Sequence, residues 1–170
     1  MATLFIPRLA VLVVEDYPDA ADSCAELLRA YGYRADVART GEDALRRAAD
    51  DPPDVALLDL RLPDLDGCEV ARRLRDRVLP KGNRPLLIAY SGCVTDEDRR
   101  RTAAAGIDLH LAKGQDARVL IDVLRRFGQV LREPRRGASG AFEPWADVDW
   151  DSVDPSNRPK SRLNEGESLR

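Results

Sequence analysis

Glu15-Asp16, Asp59, Ser91 and Lys113 each close a short apolar run, and residues of these types could together perform phosphoryl chemistry. Three carboxylates brought close repel one another and raise one another's pKa. A divalent cation relieves that repulsion, and an all-oxygen donor set with retained waters favours Mg²⁺ over zinc. A lysine ammonium binds phosphate oxygens as a point charge, and a serine hydroxyl adds a hydrogen bond. With a carboxylate as nucleophile, such a set forms a phosphoryl-transfer centre. The chain offers no P-loop glycine run and no evident base to activate water.

These residues have to be positioned by the elements they terminate. Leu9–Val14 is a continuous apolar run, the pattern of a strand buried on both faces, and Glu15-Asp16 ends it. Asp19 is the expected cap of a first helix with Cys24, Leu27 and Leu28 on one side. A second strand is predicted over Arg34–Ala38, and a second helix from Thr40 to about Asp50, kept short by Pro52-Pro53. The cycle repeats with a strand at Val55–Asp59, a helix from Cys68 to about Val78, and a strand at Leu86–Tyr90 before Ser91-Gly92. It continues with a helix over Asp96–Ala105, a strand at Asp108–Ala112 ending at Lys113, and a helix from Ala117 to about Leu131. Five strand-helix units imply an α/β fold, a doubly wound parallel sheet with helices on both faces. Ligands of such sheets bind beyond the carboxyl ends of the strands, where these polar residues stand.

Composition narrows the classes. The chain has 170 residues, 44% apolar and 34% charged, with a net charge of -3, which counts against a broad nucleic-acid surface. No run approaches the roughly 20 apolar residues of a membrane span, and the start lacks the features of a signal peptide. Three cysteines, Cys24, Cys68 and Cys93, without paired spacing argue against disulfides and zinc, so the cytoplasm is the expected location. The arginine clusters Arg72-Arg73-Arg75-Arg77 and Arg99-Arg100-Arg101 lie among acids and read as solvated helix faces.

Four stretches in order, Val11–Asp16, Asp54–Gly67, Ile88–Gly92 and His110–Lys113, resemble the response-regulator receiver domain of bacterial two-component signalling. The resemblance spans about residues 8–130 and implies the flavodoxin/CheY-like strand order 2-1-3-4-5. It implies Asp59 as phosphoacceptor, and Mg²⁺ held by Glu15, Asp16, Asp59 and the backbone carbonyl of Arg61. Lys113 and Ser91 would bind phosphoryl oxygens, and His110 stands where the family has its aromatic switch residue. The implied donor is a histidine kinase or a histidine phosphotransfer protein. Gly114 follows Lys113 where the family has proline, and glycine tolerates unusual dihedrals there. Arg61 and Cys93 flank the expected path of an attacking water.

The domain reading is a receiver at 8–131 and a Pro-, Gly- and charge-rich tail at 132–170, expected to be disordered. The tail carries an island at 142–151 with both tryptophans, Trp145 and Trp150, among acids. The first functional reading is a single-domain response regulator, a phosphoacceptor and not a turnover enzyme. It would signal to an unidentified protein target, or dimerise, through helix 4, strand 5 and helix 5, or pass the phosphoryl group onward. The second is a phosphorylation-independent adaptor that binds a partner through Trp145 and Trp150. A flavin- or nucleotide-binding flavodoxin is disfavoured, because the acidic, glycine-free turn after strand 1 repels phosphate.

Overall fold

The computed structural model describes residues 9–76, 84–92, 95–114 and 116–131. Five strands and five helices alternate along the chain. They are β1 (Ala10–Val14), α1 (Pro18–Ala30), β2 (Arg34–Ala38), α2 (Gly41–Asp50), β3 (Val55–Leu58), α3 (Gly67–Arg75), β4 (Leu86–Ser91), α4 (Asp96–Ala104), β5 (Leu109–Ala112) and α5 (Ala117–Val130). All strand pairs are parallel, in the order β2-β1-β3-β4-β5. No helix among the described residues is long and apolar enough to cross a membrane.

The near-continuous burial of β1, β3 and β4 follows from a sheet covered on both sides. Side chains alternate faces along each strand. Val11, Val13, Val55, Leu57, Leu86, Ile88, Leu109 and Leu111 pack with Leu28 of α1 and Leu120, Leu124 and Phe127 of α5. Leu12, Val14, Ala56, Leu58, Leu87 and Ala89 face the other way, against Ala44 and Leu45 of α2 and Val70 and Leu74 of α3.

The helix starts are set locally. Thr40 caps α2 through the Asp43 N–H at 3.1 Å, Asp66 caps α3 through the Cys68 N–H at 2.8 Å, and Asp116 caps α5 through the Arg118 N–H at 2.9 Å. Thr95 and Asp98 form a reciprocal capping box on α4. The expected Asp19 cap of α1 is corrected: Tyr17 is the N-cap residue and makes no side-chain cap bond. Pro18 occupies the first turn, where its fixed φ suits the helix and its missing N–H costs nothing, so the helix begins ahead of Asp19. Asp19 instead lies in the first turn, where its charge complements the helix dipole.

Candidate functional site

The alternation of the strands explains why the polar residues converge. Val13, Leu57 and Leu111 belong to the row facing α1 and α5. Glu15, Asp59 and Lys113 stand two positions beyond them, so each continues the same row past the carboxyl end of its strand. Backbone bonds extend the sheet into these turns: Glu15 N–H donates to the Ala38 carbonyl (3.0 Å), Asp59 N–H to Val14 (2.8 Å) and Lys113 N–H to Ser91 (2.7 Å).

The Lys113 ammonium bridges the carboxylates of Glu15 and Asp59. The Glu15 side chain is 7% exposed and that of Asp59 12%. Burial of the ammonium works against its charge, but the hydrogen bonds and charges of Asp59 and Glu15 outweigh it and lift the Lys113 pKa above the usual lysine range. Lys113 is therefore a fixed cation at neutral pH. The second oxygen of Asp59 accepts the Arg61 N–H at 2.9 Å, which fixes the carboxylate's orientation. Glu15 also accepts the Tyr17 N–H at 3.2 Å.

Carboxylate oxygens of Glu15, Asp16 and Asp59 lie within 4.8 Å of one another. Asp16 is exposed, so this cluster opens to solvent. Its donors are hard oxygens and it contains no thiolate or imidazole, which fits Mg²⁺ or another oxygen-seeking divalent cation. The Arg61 side chain is exposed two residues beyond Asp59.

Ser91 and His110 are buried on the sheet face opposite the α1/α5 row. Ala89 pairs with His110 across β4 and β5, so Ser91, two residues on, is the diagonal neighbour of His110. Ser91 Oγ lies 3.1 Å from His110 Nε2. Burial, together with the Arg99 charge and against the pull of Asp98, holds His110 below the usual imidazole range, so the ring is neutral at pH 7. Gly114 adopts φ +88°, a left-handed turn that glycine enters without a Cβ clash. The loop carrying Lys113 thus closes by glycine's own freedom.

Three anchors of the site are absent from the sequence reading. Asp64 in the loop after β3 accepts the Gly41 N–H (2.8 Å) and the Glu42 N–H (2.9 Å) at the start of α2. Burial works against its charge, but these backbone donors together outweigh it and hold its carboxyl below the usual range. Asp66 pairs with Arg101 of α4, tying the end of that loop to the neighbouring helix. Gly67 packs where a Cβ would stand 2.2 Å from the Asp59 carbonyl oxygen, so the loop runs hard against the backbone of Asp59. The acidic run Asp64-Leu65-Asp66-Gly67 was the available signal, but nothing in it names Gly41 or Arg101 as partners.

Burial, with the charges of Glu15 and Asp66 respectively, pushes the thiols of Cys24 and Cys68 up to about 11. Both behave as small apolar residues. Arg72 and Arg73 pair with Glu69, and Arg101 with Asp66 and Asp98, as expected of solvated helix faces. Cys93, Trp145 and Trp150 lie outside the described residues.

The family model of the response regulator receiver domain matches residues 11–125. The chain belongs to that family. It is 37% identical over 108 residues to the gliding motility regulatory protein of Myxococcus xanthus, a match covering 64% of this chain and 14% of that protein. It is 33% identical over 122 residues to the aerobic respiration control sensor protein ArcB of Escherichia coli, covering 72% of this chain and 15% of ArcB. Among solved structures it is similar to the receiver domain of the sensor histidine kinase PA1611 from Pseudomonas aeruginosa PAO1. That likeness has 32% identity and a TM-score of 0.64, and covers 72% of this chain and 98% of that one. Magnesium is coordinated in the active-site cleft of the PA1611 receiver. The chain thus spans about one seventh of the first two relatives, and what it shares with them is the receiver unit. Receiver domains are phosphoacceptors of two-component signalling and bind Mg²⁺ in an acidic site.

Proposed function

We propose that this receiver accepts a phosphoryl group on Asp59 from the phosphohistidine of a histidine kinase or phosphotransfer protein. The observation that carries the reading is the placement of Asp59: one oxygen is held by the Arg61 N–H and the other by the Lys113 ammonium, beside Glu15 and Asp16. An Asp59 carboxylate oxygen attacks phosphorus, the P–N bond to the donor imidazole breaks, and its electron pair returns to the ring nitrogen. The product is an aspartyl phosphate. Lys113 is charged throughout and sits where it can hold a phosphoryl oxygen. Glu15, Asp16, Asp59 and the Arg61 carbonyl would hold Mg²⁺, which when bound neutralises charge on the transferred group.

The output is a shifted protein-binding face. Ser91 donates to a phosphoryl oxygen, and its bond with His110 changes in consequence. Within α4 the only buried side chain is Thr102, so this helix is lightly anchored and responds to a change at its base. The face of α4, β5 and α5 would then meet a target protein or a second copy, or the phosphoryl group would pass onward to another histidine. Incubation with a small acyl-phosphate donor, followed by intact-protein mass, tests the chemistry. The expected result is one added phosphoryl group, dependent on Mg²⁺ and abolished in Asp59→Asn. Labelling of Asp59→Asn to the wild-type level would overturn the assignment.

A further inference from the structure

A cavity of about 260 Å³ opens between α1 and the sheet, next to the site. Its apolar walls are Ala20, Cys24 and Leu27 of α1, Val13 of β1, Leu57 of β3 and Tyr90 of β4. The Cys24 thiol, held up at about 11, stays neutral and counts as wall. The charged lining is Glu15, Asp59 and Lys113. An apolar body with a few placed polar groups is the common make-up of a small-molecule site.

The three charged groups decide which kind of molecule fits. Two carboxylates stand against one ammonium, so the lining carries a formal excess of negative charge. Hydrogen-bond donors are also in short supply. Glu15 and Asp59 together receive the Tyr17 N–H, the Arg61 N–H and the two contacts of the Lys113 ammonium. A carboxylate has about four acceptor positions, so roughly half of theirs are open to a further donor. An anion would meet two carboxylates, and a neutral apolar molecule would cover them without a compensating hydrogen bond. A monocation with N–H donors meets both demands. The volume sets the size of its body. An apolar cavity of about 150 Å³ accepts a benzene ring, so this one has room for a two-ring group.

We propose that the α1 cavity is a binding site for a small organic amine in its ammonium form. The apolar body lies between α1 and the sheet, and the ammonium lies against Glu15 and Asp59. The binding does not depend on Asp59 being a phosphoacceptor. If Asp59 is one, the bound amine covers the acceptor carboxylate and slows labelling by an acyl-phosphate donor.

Tryptamine is the probe, in an NMR titration of the isotope-labelled full chain. Saturable shifts are expected at Ala20, Cys24 and Leu57. Indole-3-propionate, with the same two rings and a carboxylate, should bind at least tenfold more weakly. Glu15→Gln removes a negative charge from the lining and should weaken tryptamine several-fold. Ala20→Leu fills the cavity and should weaken it at least tenfold. Ser23→Leu, at an exposed cavity-lining position of α1, gives the same test should circular dichroism show Ala20→Leu to be unfolded. Absence of saturable shifts at these positions overturns the proposal, as does binding unchanged in the folded cavity-filling variant. Equal or tighter binding of indole-3-propionate refutes the choice of a cation and overturns it too. The titration reads binding without phosphorylation, so its failure is distinct from a failure of Asp59 to take label.

Discussion

Removing the Lys113 charge should cost the receiver stability, and Mg²⁺ should return much of it. In Lys113→Met the two carboxylates that the ammonium bridges remain, at 7% and 12% side-chain exposure, with no cation between them. Removing one partner of a buried ion pair costs about 3–5 kcal/mol. Lys113 is 25% exposed, so water screens part of the penalty and about 2–3 kcal/mol is expected. For a domain of this size 1 kcal/mol corresponds to roughly 4 °C, which places the loss near 8–12 °C in Tm. On the proposed function a divalent cation would bind the same carboxylates in the folded state, and would then stabilise the variant by mass action and more strongly than wild type. The assay is thermal unfolding of wild type and Lys113→Met by circular dichroism, each with chelator and with millimolar Mg²⁺. If the variant melts with wild type in chelator, or Mg²⁺ raises both Tm values equally, the electrostatic reading of the site is wrong.

Three other outcomes follow from the geometry. Gly67→Ala would place a Cβ 2.2 Å from the Asp59 carbonyl oxygen, against backbone that cannot yield cheaply, and should destabilise by about 2–4 kcal/mol in chemical denaturation. His110 has a folded-state pKa below its unfolded value of 6.5, so its contribution is full above pH 6.5 and is lost as pH falls below it. The Tm difference between wild type and His110→Phe should therefore shift toward the variant from pH 8 to pH 5.5, the carboxylate titrations being common to both. If the exposed Arg61 side chain shields the phosphoryl group from water, as the sequence reading expects, Arg61→Ala should raise the autodephosphorylation rate several-fold; decay of the labelled protein measures it.

The fold was legible because β1, β3, β4 and β5 are short apolar runs ended by polar residues, and the helices carry their own caps or glycine stops. Leu12 and Val13 read as one uninterrupted run for the physical reason that they serve two different cores. The start of α1 was misread because Asp19 is a good capping residue and Pro18 is a better first-turn residue, and the two preferences compete one position apart. At the site, the residue types at the strand ends were readable, whereas their contacts were not. Lys113 touching Glu15 as well as Asp59, Asp64 reaching the start of α2, and Asp66 reaching Arg101 join residues 22 to 98 positions apart. Such pairings are fixed by the tertiary arrangement of the loops and leave no local pattern.

The central claim is that Asp59 carries the phosphoryl group, and chemical trapping of the labelled protein addresses it most directly. Borohydride reduces an aspartyl phosphate to homoserine and leaves a free carboxylate untouched, so peptide mass locates the modified position. The account predicts homoserine at position 59 alone, in protein labelled in the presence of Mg²⁺. Homoserine at position 16, or a phosphorylated protein with aspartate intact at 59, would contradict it.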